Sequence, residues 1–346
     1  MTIVRSVTGD VDSADLGICL PHEHILNDVR SWWSPTSQIG VDSEWFKNAA
    51  VSHEISWELK QDPFGNLSNC VMDDSELAIR ELKMFESLGG VSVLEATSVS
   101  IGRDLPRLRD ISVATGLTII AGTGFYLDSS QPEKIKRMSR EEIADIMRLD
   151  LEIGVDGVRP GFIGEIGVSA DFTDAERRSL EAACMVQLEA KLPMQVHLPG
   201  WFRLGHQVLD VCEGMGVNPE SVVLCHMGPS GSDAKYQLSL ARRGAWIQYD
   251  MVGMELYYAD QSVQCPSDEE NALNILGLSD AGHANQILIS QDIFLKSLLR
   301  SNGGPGFSHI LQYFVPRLIR HGASNDLIQQ FLVTNPRTMF EKAKGE

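Results

Sequence analysis

Short apolar runs rich in β-branched residues alternate with longer stretches of helical periodicity along the whole 346-residue chain, with no linker, repeat or low-complexity segment between them. A strand that is apolar at nearly every position must be covered on both faces, and helices crossing over between parallel strands provide that cover. The runs fall at 16–24, 90–98, 117–125, 161–167, 192–199, 221–227, 244–251 and 286–292. The intervening segments DSELAIRELKMFESLG, SREEIADIMRLDLEIG and DAERRSLEAACMVQLEAK place apolar residues at helical spacing and carry Asp, Ser or Gly at their ends. Eight such units without a reversal point favour a closed (β/α)8 TIM barrel over an open doubly wound sheet. One barrel domain over 1–346 accounts for the length.

Composition removes several classes of function. Lys and Arg total 29 against 47 Asp and Glu, a formal charge of -18 that repels phosphate backbones and anionic membrane surfaces, so nucleic acid and membrane are not expected partners. No apolar run approaches the roughly 18 residues of a membrane span, and MTIVRSVTGD lacks the features of a secretory signal. The expectation is a cytoplasmic protein. Cys19, Cys70, Cys184, Cys212, Cys225 and Cys265 have no CxxC spacing and read as reduced thiols.

Two long segments stand outside the repeat: 27–75, which contains Trp32, Trp33, Trp45 and Trp57, and 252–285. Each follows an expected strand, so in a barrel each lies at the C-terminal mouth, where βα loops build substrate sites. The tryptophans line a pocket or form a small satellite core under the loop.

Polar residues gather at the C-terminal ends of the apolar runs. His22 and His24 close the first, Glu165 lies in GFIGEIG, His197 ends MQVHLP, His226 ends SVVLCHM and Asp292 ends QILISQD. Each has an ordinary reading alone: a surface pair, a salt bridge, a hydrogen-bonded core histidine or a helix cap. Residues two apart on a strand point the same way, so His22 and His24 can share one ion, and a single cluster of divalent cations accounts for all six residues together. Six ligands exceed one tetrahedral ion, which implies two metals about 3.5–4 Å apart with Glu165 as the bridging carboxylate. Hydroxide held between them would be the nucleophile, because metal binding lowers the pKa of water from 15.7 toward about 7. Asp292 is the candidate to ligate one ion and shuttle the proton.

PHEHI (21–25), AGTGFY (121–126), GFIGEIGVS (161–169), QVHLPG (195–200), VLCHMG (223–228), SQDI (290–293), GGPGFSHIL (303–311) and TNPRTMF (334–340) span nearly the whole chain. With these motifs the sequence resembles the phosphotriesterase family of the amidohydrolase superfamily, most closely its phosphotriesterase-related subgroup. The resemblance implies that His22, His24 and Asp292 hold the more buried ion, that His197 and His226 hold the more exposed one, and that Glu165 bridges them in place of a carboxylated lysine. It implies zinc, with manganese or cobalt as alternatives. Tyr126 matches a tyrosine beside the bridging water in family lactonases. Met251 stands where lactonases carry arginine and phosphotriesterases histidine, which weakens either activity as the native one. Lys296 and Arg203 are further candidates for substrate contact, through an anionic group.

The expected activity is hydrolysis of a carboxylic amide, ester or lactone of a small molecule, with an N-acyl amide favoured by the subgroup resemblance. Phosphotriester hydrolysis is the alternative enzyme reading, and a metal-stabilised binding protein without turnover the alternative outside catalysis. The oligomeric state stays open, with a homodimer among the possibilities.

Overall fold

The computed structural model describes residues 2–35 and 43–345, so part of the 27–75 segment lies outside the described residues. Eight parallel strands run in chain order around the sheet: β1 Ile18–Glu23, β2 Gly90–Glu95, β3 Thr118–Thr123, β4 Phe162–Ile166, β5 Met194–Val196, β6 Val222–Leu224, β7 Trp246–Tyr249 and β8 Ile287–Ile289. Helices return between them: α1 Ser75–Ser87, α2 Leu105–Thr115, α3 Arg140–Glu152, α4 Asp174–Ala190, α5 Gly205–Gly214, α6 Ala234–Ala241 and α7 Asp268–Leu278. The expected barrel is therefore the observed one, and its strands lie within the runs read from the sequence.

Local chemistry accounts for the helix starts. Ser139, Thr173 and Ser267 form capping boxes with Glu142, Glu176 and Glu270, each pair satisfying two backbone N–H groups that the first helical turn leaves unpaired. Each such cap is worth about 1 kcal/mol.

The strand alternation divides the apolar residues into two cores. Val222, Leu224, Ile247, Ile287 and Ile289 face the helices, whereas Leu94, Ile120, Phe162, Val223, Trp246 and Leu288 fill the barrel interior. Val4, from an N-terminal hairpin, and Met339 and Phe340, from helix α8 Asn335–Lys344, belong to the same interior cluster. Following the inward-facing positions toward the mouth, Trp246 gives way to Gln248 and Asp250, and Leu288 to Ser290 and Asp292, all buried. The interior thus grades from hydrocarbon at its base to amides and carboxylates at its top.

Among the described residues no strand ladder joins β8 to β1, and a buried acid ties that seam instead. Asp292 N–H donates to the His22 carbonyl at 3.3 Å, and His22 N–H donates to Ser290 Oγ at 3.1 Å. Glu23, between the two histidines of the first motif, points away from them and accepts hydrogen bonds from Ser290 Oγ at 2.7 Å and from the backbone N–H groups of Gln291 and Ile293 at 2.9 Å each. Burial pushes its carboxyl up to about 7 against the pull of those donors.

Close backbone approach also governs β3 and β4. A Cβ at Gly122 would lie 2.0 Å from the Gly164 carbonyl oxygen, an overlap with backbone that no side-chain rotation relieves. Gly122→Ala is expected to lower unfolding free energy by roughly 3 kcal/mol in urea denaturation, because it must displace the strand that carries Glu165.

Candidate metal centre

His22, His24, Glu165, His197, His226 and Asp292 come from five strands or the turns that follow them, and the barrel brings all six to one place at its C-terminal mouth. All are buried, with at most 7% of each residue exposed. His24 Nε2 is 3.2 Å and His22 Nε2 3.7 Å from Asp292 Oδ1. His22 Nε2 is 3.8 Å, His226 Nε2 2.7 Å and His197 Nδ1 3.1 Å from Glu165 Oε1. Two positions carry backbone conformations that L-residues seldom adopt, His226 at φ 58° and Asp292 at φ 53°. These sharp turns immediately past the strands are held by the packing around them.

Hydrogen bonds behind three of the imidazoles, those of His22, His24 and His226, set which nitrogen faces the centre. Gln195 donates its amide N–H to the Pro21 carbonyl, which leaves its Oε1 to accept from His22 Nδ1 at 3.0 Å, with His22 Nε2 facing the centre. Gln248 Nε2 also lies 3.0 Å from His22 Nδ1, and within reach of Asp250 Oδ2 at 3.0 Å and Cys225 Sγ at 3.4 Å. Thr97 donates its hydroxyl to Glu95, accepts from His24 Nδ1 at 2.9 Å, and so aims His24 Nε2 at Asp292. Asp250 accepts from His226 Nδ1 at 2.9 Å and from the His226 backbone N–H.

The result is a convergence of acceptors. His22 Nε2 and Asp292 Oδ1 are buried without a hydrogen-bond partner, and the described residues supply no Lys or Arg ion pair to Glu165, Asp250 or Asp292. Lone pairs buried this close together are costly unless positive charge lies among them. The titration tendencies agree. Burial opposes charge on Glu165, yet His197, His22 and His226 outweigh it and hold its carboxyl well below the usual range. Burial likewise opposes a proton on His226, but Asp250 and Glu165 raise that imidazole well above its ordinary value. At His197 burial prevails and lowers the pKa. This donor set fits divalent cations: His22, His24 and Asp292 form one group of closely spaced ligand atoms and His22, Glu165 and His226 another. A third group, His22, Cys225 and Asp250, is less suited, because burial holds the Cys225 thiol protonated and Asp250 is engaged by His226.

Tyr126 and Met251 line the cavity above this centre, and Tyr126 Oη lies 3.1 Å from His197 Nδ1. Burial raises the phenol well above its ordinary pKa, so it stays a neutral hydroxyl. Arg203 and Lys296 are not in the cavity wall; Arg203 pairs with Asp233 at 3.2 Å. Of the four tryptophans in the long first segment, Trp32 lines the cavity, while Trp33, Trp45 and Trp57 are exposed. The satellite core beneath that segment exists but is built from Phe46, Ile55 and Leu59.

Sequence reasoning passed over Asp250, Gln195, Gln248 and Glu95. The signal was available for the first three. Gln195 and Gln248 each precede a site residue by two on a strand that is otherwise apolar, and a polar side chain facing a barrel interior needs a partner there.

Fold and site together define a metal-dependent hydrolase on a (β/α)8 barrel. The model of the phosphotriesterase family matches residues 2–340, and the chain belongs to that family. An N-acetyltaurine hydrolase of Tetraodon nigroviridis is 32% identical over 339 residues, 96% of each chain. Among solved structures, a resiniferatoxin-binding protein from Rhodobacter sphaeroides is 47% identical with a TM-score of 0.95, covering 98% of this chain and 95% of the other. A phosphotriesterase homology protein from Escherichia coli, complexed with phosphate in its active site, is 25% identical with a TM-score of 0.77, over 94% and 99%.

Asp250→Asn should weaken metal retention about 10- to 100-fold, because it removes the carboxylate that orients His226. Competition with a chelator, followed by elemental analysis, measures this; unchanged retention would show that Asp250 does not orient a ligand.

Proposed function

We propose that this chain hydrolyses a carboxylic amide, ester or lactone of a small molecule, with an N-acyl amide favoured, using two divalent cations of which zinc is the first expectation. The observation that carries the reading is the buried convergence of His22, His24, Glu165, His197, His226 and Asp292 with two acceptor atoms otherwise unpaired. In this reading His22, His24 and Asp292 would hold one ion and His197 and His226 the other, with Glu165 available to both. Such ions polarise a carbonyl and acidify water. The name of the Tetraodon relative supports amide chemistry.

The chain's own groups then have separate tasks. Asp292 Oδ1 is the oxygen that faces His22 and His24, which would leave Oδ2 to take a proton from water and return it to the leaving nitrogen or oxygen. The oxygen of water bonds to the acyl carbon, the carbon–nitrogen or carbon–oxygen bond breaks, and the products are a carboxylate and an amine or alcohol. Tyr126, kept neutral by burial, can donate its hydroxyl to the substrate carbonyl. The cavity above them, of about 70 Å³, limits the water that reaches the acyl group.

Two other readings have specific support. The Escherichia coli structure holds phosphate in its active site, which favours phosphotriester hydrolysis, and the Rhodobacter sphaeroides structure is titled a binding protein, which favours binding without turnover. A panel of acyl amides, esters, lactones and phosphotriesters with zinc- or manganese-loaded protein separates the three. Inactivity throughout, with two metals bound, would leave the binding reading. Within the panel, Asp292→Asn is expected to retain at least one ion and lose about 10²-fold or more in kcat. Normal turnover in that variant would remove Asp292 from the proton path.

A further inference from the structure

The wall facing the centre is a continuous aromatic surface. Trp32 stacks on Phe64 with ring centroids 5.5 Å apart, Phe64 meets Tyr258 at 4.9 Å and Phe294 at 6.1 Å, and Tyr258 meets Trp201 at 5.5 Å. These rings come from four separate loops at the barrel mouth and all border one cavity. Such a surface recognises a ring or a compact hydrocarbon by contact area and edge-to-face geometry.

The charges bordering this cavity are those of the centre itself, with Glu165 and Asp292 as its anions. Among the described residues no Lys or Arg lines it, and the segment 36–42, TSQIGVD, contains neither residue. Arg203, on the loop that carries Trp201, is committed to Asp233 at 3.2 Å and lies over the Tyr236 ring at 5.3 Å. A sulfonate or carboxylate two methylenes beyond the scissile nitrogen would be buried against rings with no cation to pair it, at the cost of its hydration. The overall charge of -18 adds repulsion before it arrives.

Resting on the hydrolase reading above, we propose that the substrate is electrically neutral and presents an aromatic or compact apolar group to the Trp32–Phe64–Tyr258–Trp201 wall, so that anionic acyl amides are poor substrates. The chain thereby differs in specificity from the function that the Tetraodon relative's name states. The reaction is unchanged: water's oxygen joins the acyl carbon, the carbon–nitrogen bond breaks, and the amine leaves with the transferred proton.

A matched pair tests this. N-acetyl-2-phenylethylamine and N-acetyltaurine share the acetamide and the two-carbon arm and differ only in a phenyl ring against a sulfonate. With zinc-loaded protein, kcat/KM for the phenyl compound should exceed that for the sulfonate by roughly 10-fold or more. Titrating Asp292→Asn protein should change tryptophan fluorescence with the phenyl compound and leave it unchanged with N-acetyltaurine. Gln261→Arg places a guanidinium at the exposed rim of the same cavity and should move the ratio toward the sulfonate by about 10-fold. Equal or faster turnover of N-acetyltaurine overturns the neutral-substrate inference and leaves the hydrolase reading intact. Selective binding of the phenyl compound with no turnover of either amide supports the inference and counts against the hydrolase reading. Neither binding nor turnover of either compound overturns both.

Discussion

The organisation of this molecule depends on bringing imidazole and carboxylate lone pairs together out of water. Glu165 Oε1 lies within 2.7–3.8 Å of three imidazole nitrogens, and among the described residues no Lys or Arg pairs with it. Such a cluster is repulsive on its own, so the barrel has to be rigid enough to hold it and the site chemistry has to supply positive charge. Both requirements shape what surrounds it. Amides of Gln195 and Gln248, the hydroxyl of Thr97 and the carboxylate of Asp250 stand behind the imidazoles and fix which nitrogen faces inward. Glu23 locks the seam between the first and last strands directly beside two of the site residues.

This arrangement joins stability and chemistry in the same residues. The strand grading from Trp246 through Gln248 to Asp250 is a packing feature, yet it also sets the polarity gradient that lets a carboxylate survive at the barrel top. The turns at His226 and Asp292 adopt left-handed backbone conformations that cost energy locally. They are tolerated because neighbouring strands over-determine them, and they set side chains facing one another that regular strand geometry would have kept apart. Above this base the aromatic wall comes from loops, and under the specificity proposed above it is the wall that sets selectivity among acyl compounds.

How far the sequence could be read follows from how far each effect reaches along the chain. Strand and helix positions depend on patterns within about ten residues, and they were legible: α3 begins at the Ser that opens SREEIADIMRLDLEIG, and α4 at the Asp that opens DAERRSLEAACMVQLEAK. The six site residues were legible because each is an unexpected polar group ending an apolar run. Trp32 could not be told from Trp33, Trp45 and Trp57, since all four sit in one irregular segment and only the path of the loop turns one of them toward the cavity. Arg203 and Lys296 looked equally suited to touch a substrate for their charge, but charge alone carries no direction, and Arg203 found Asp233 instead.

The sequence by itself determined the eight-fold alternation, the polar endings of its apolar strands and, through its motifs, membership in a family of metal-dependent hydrolases. Those properties are local, being written in side-chain periodicity and residue type. Which imidazole nitrogen faces the centre, that Asp250 supports His226, that Glu23 bonds across the seam to residues 290–293, and that five rings close over the site were decided only by the tertiary structure. Each of these depends on distances of 3 to 6 Å between segments tens to hundreds of residues apart, and barrel closure sets those distances.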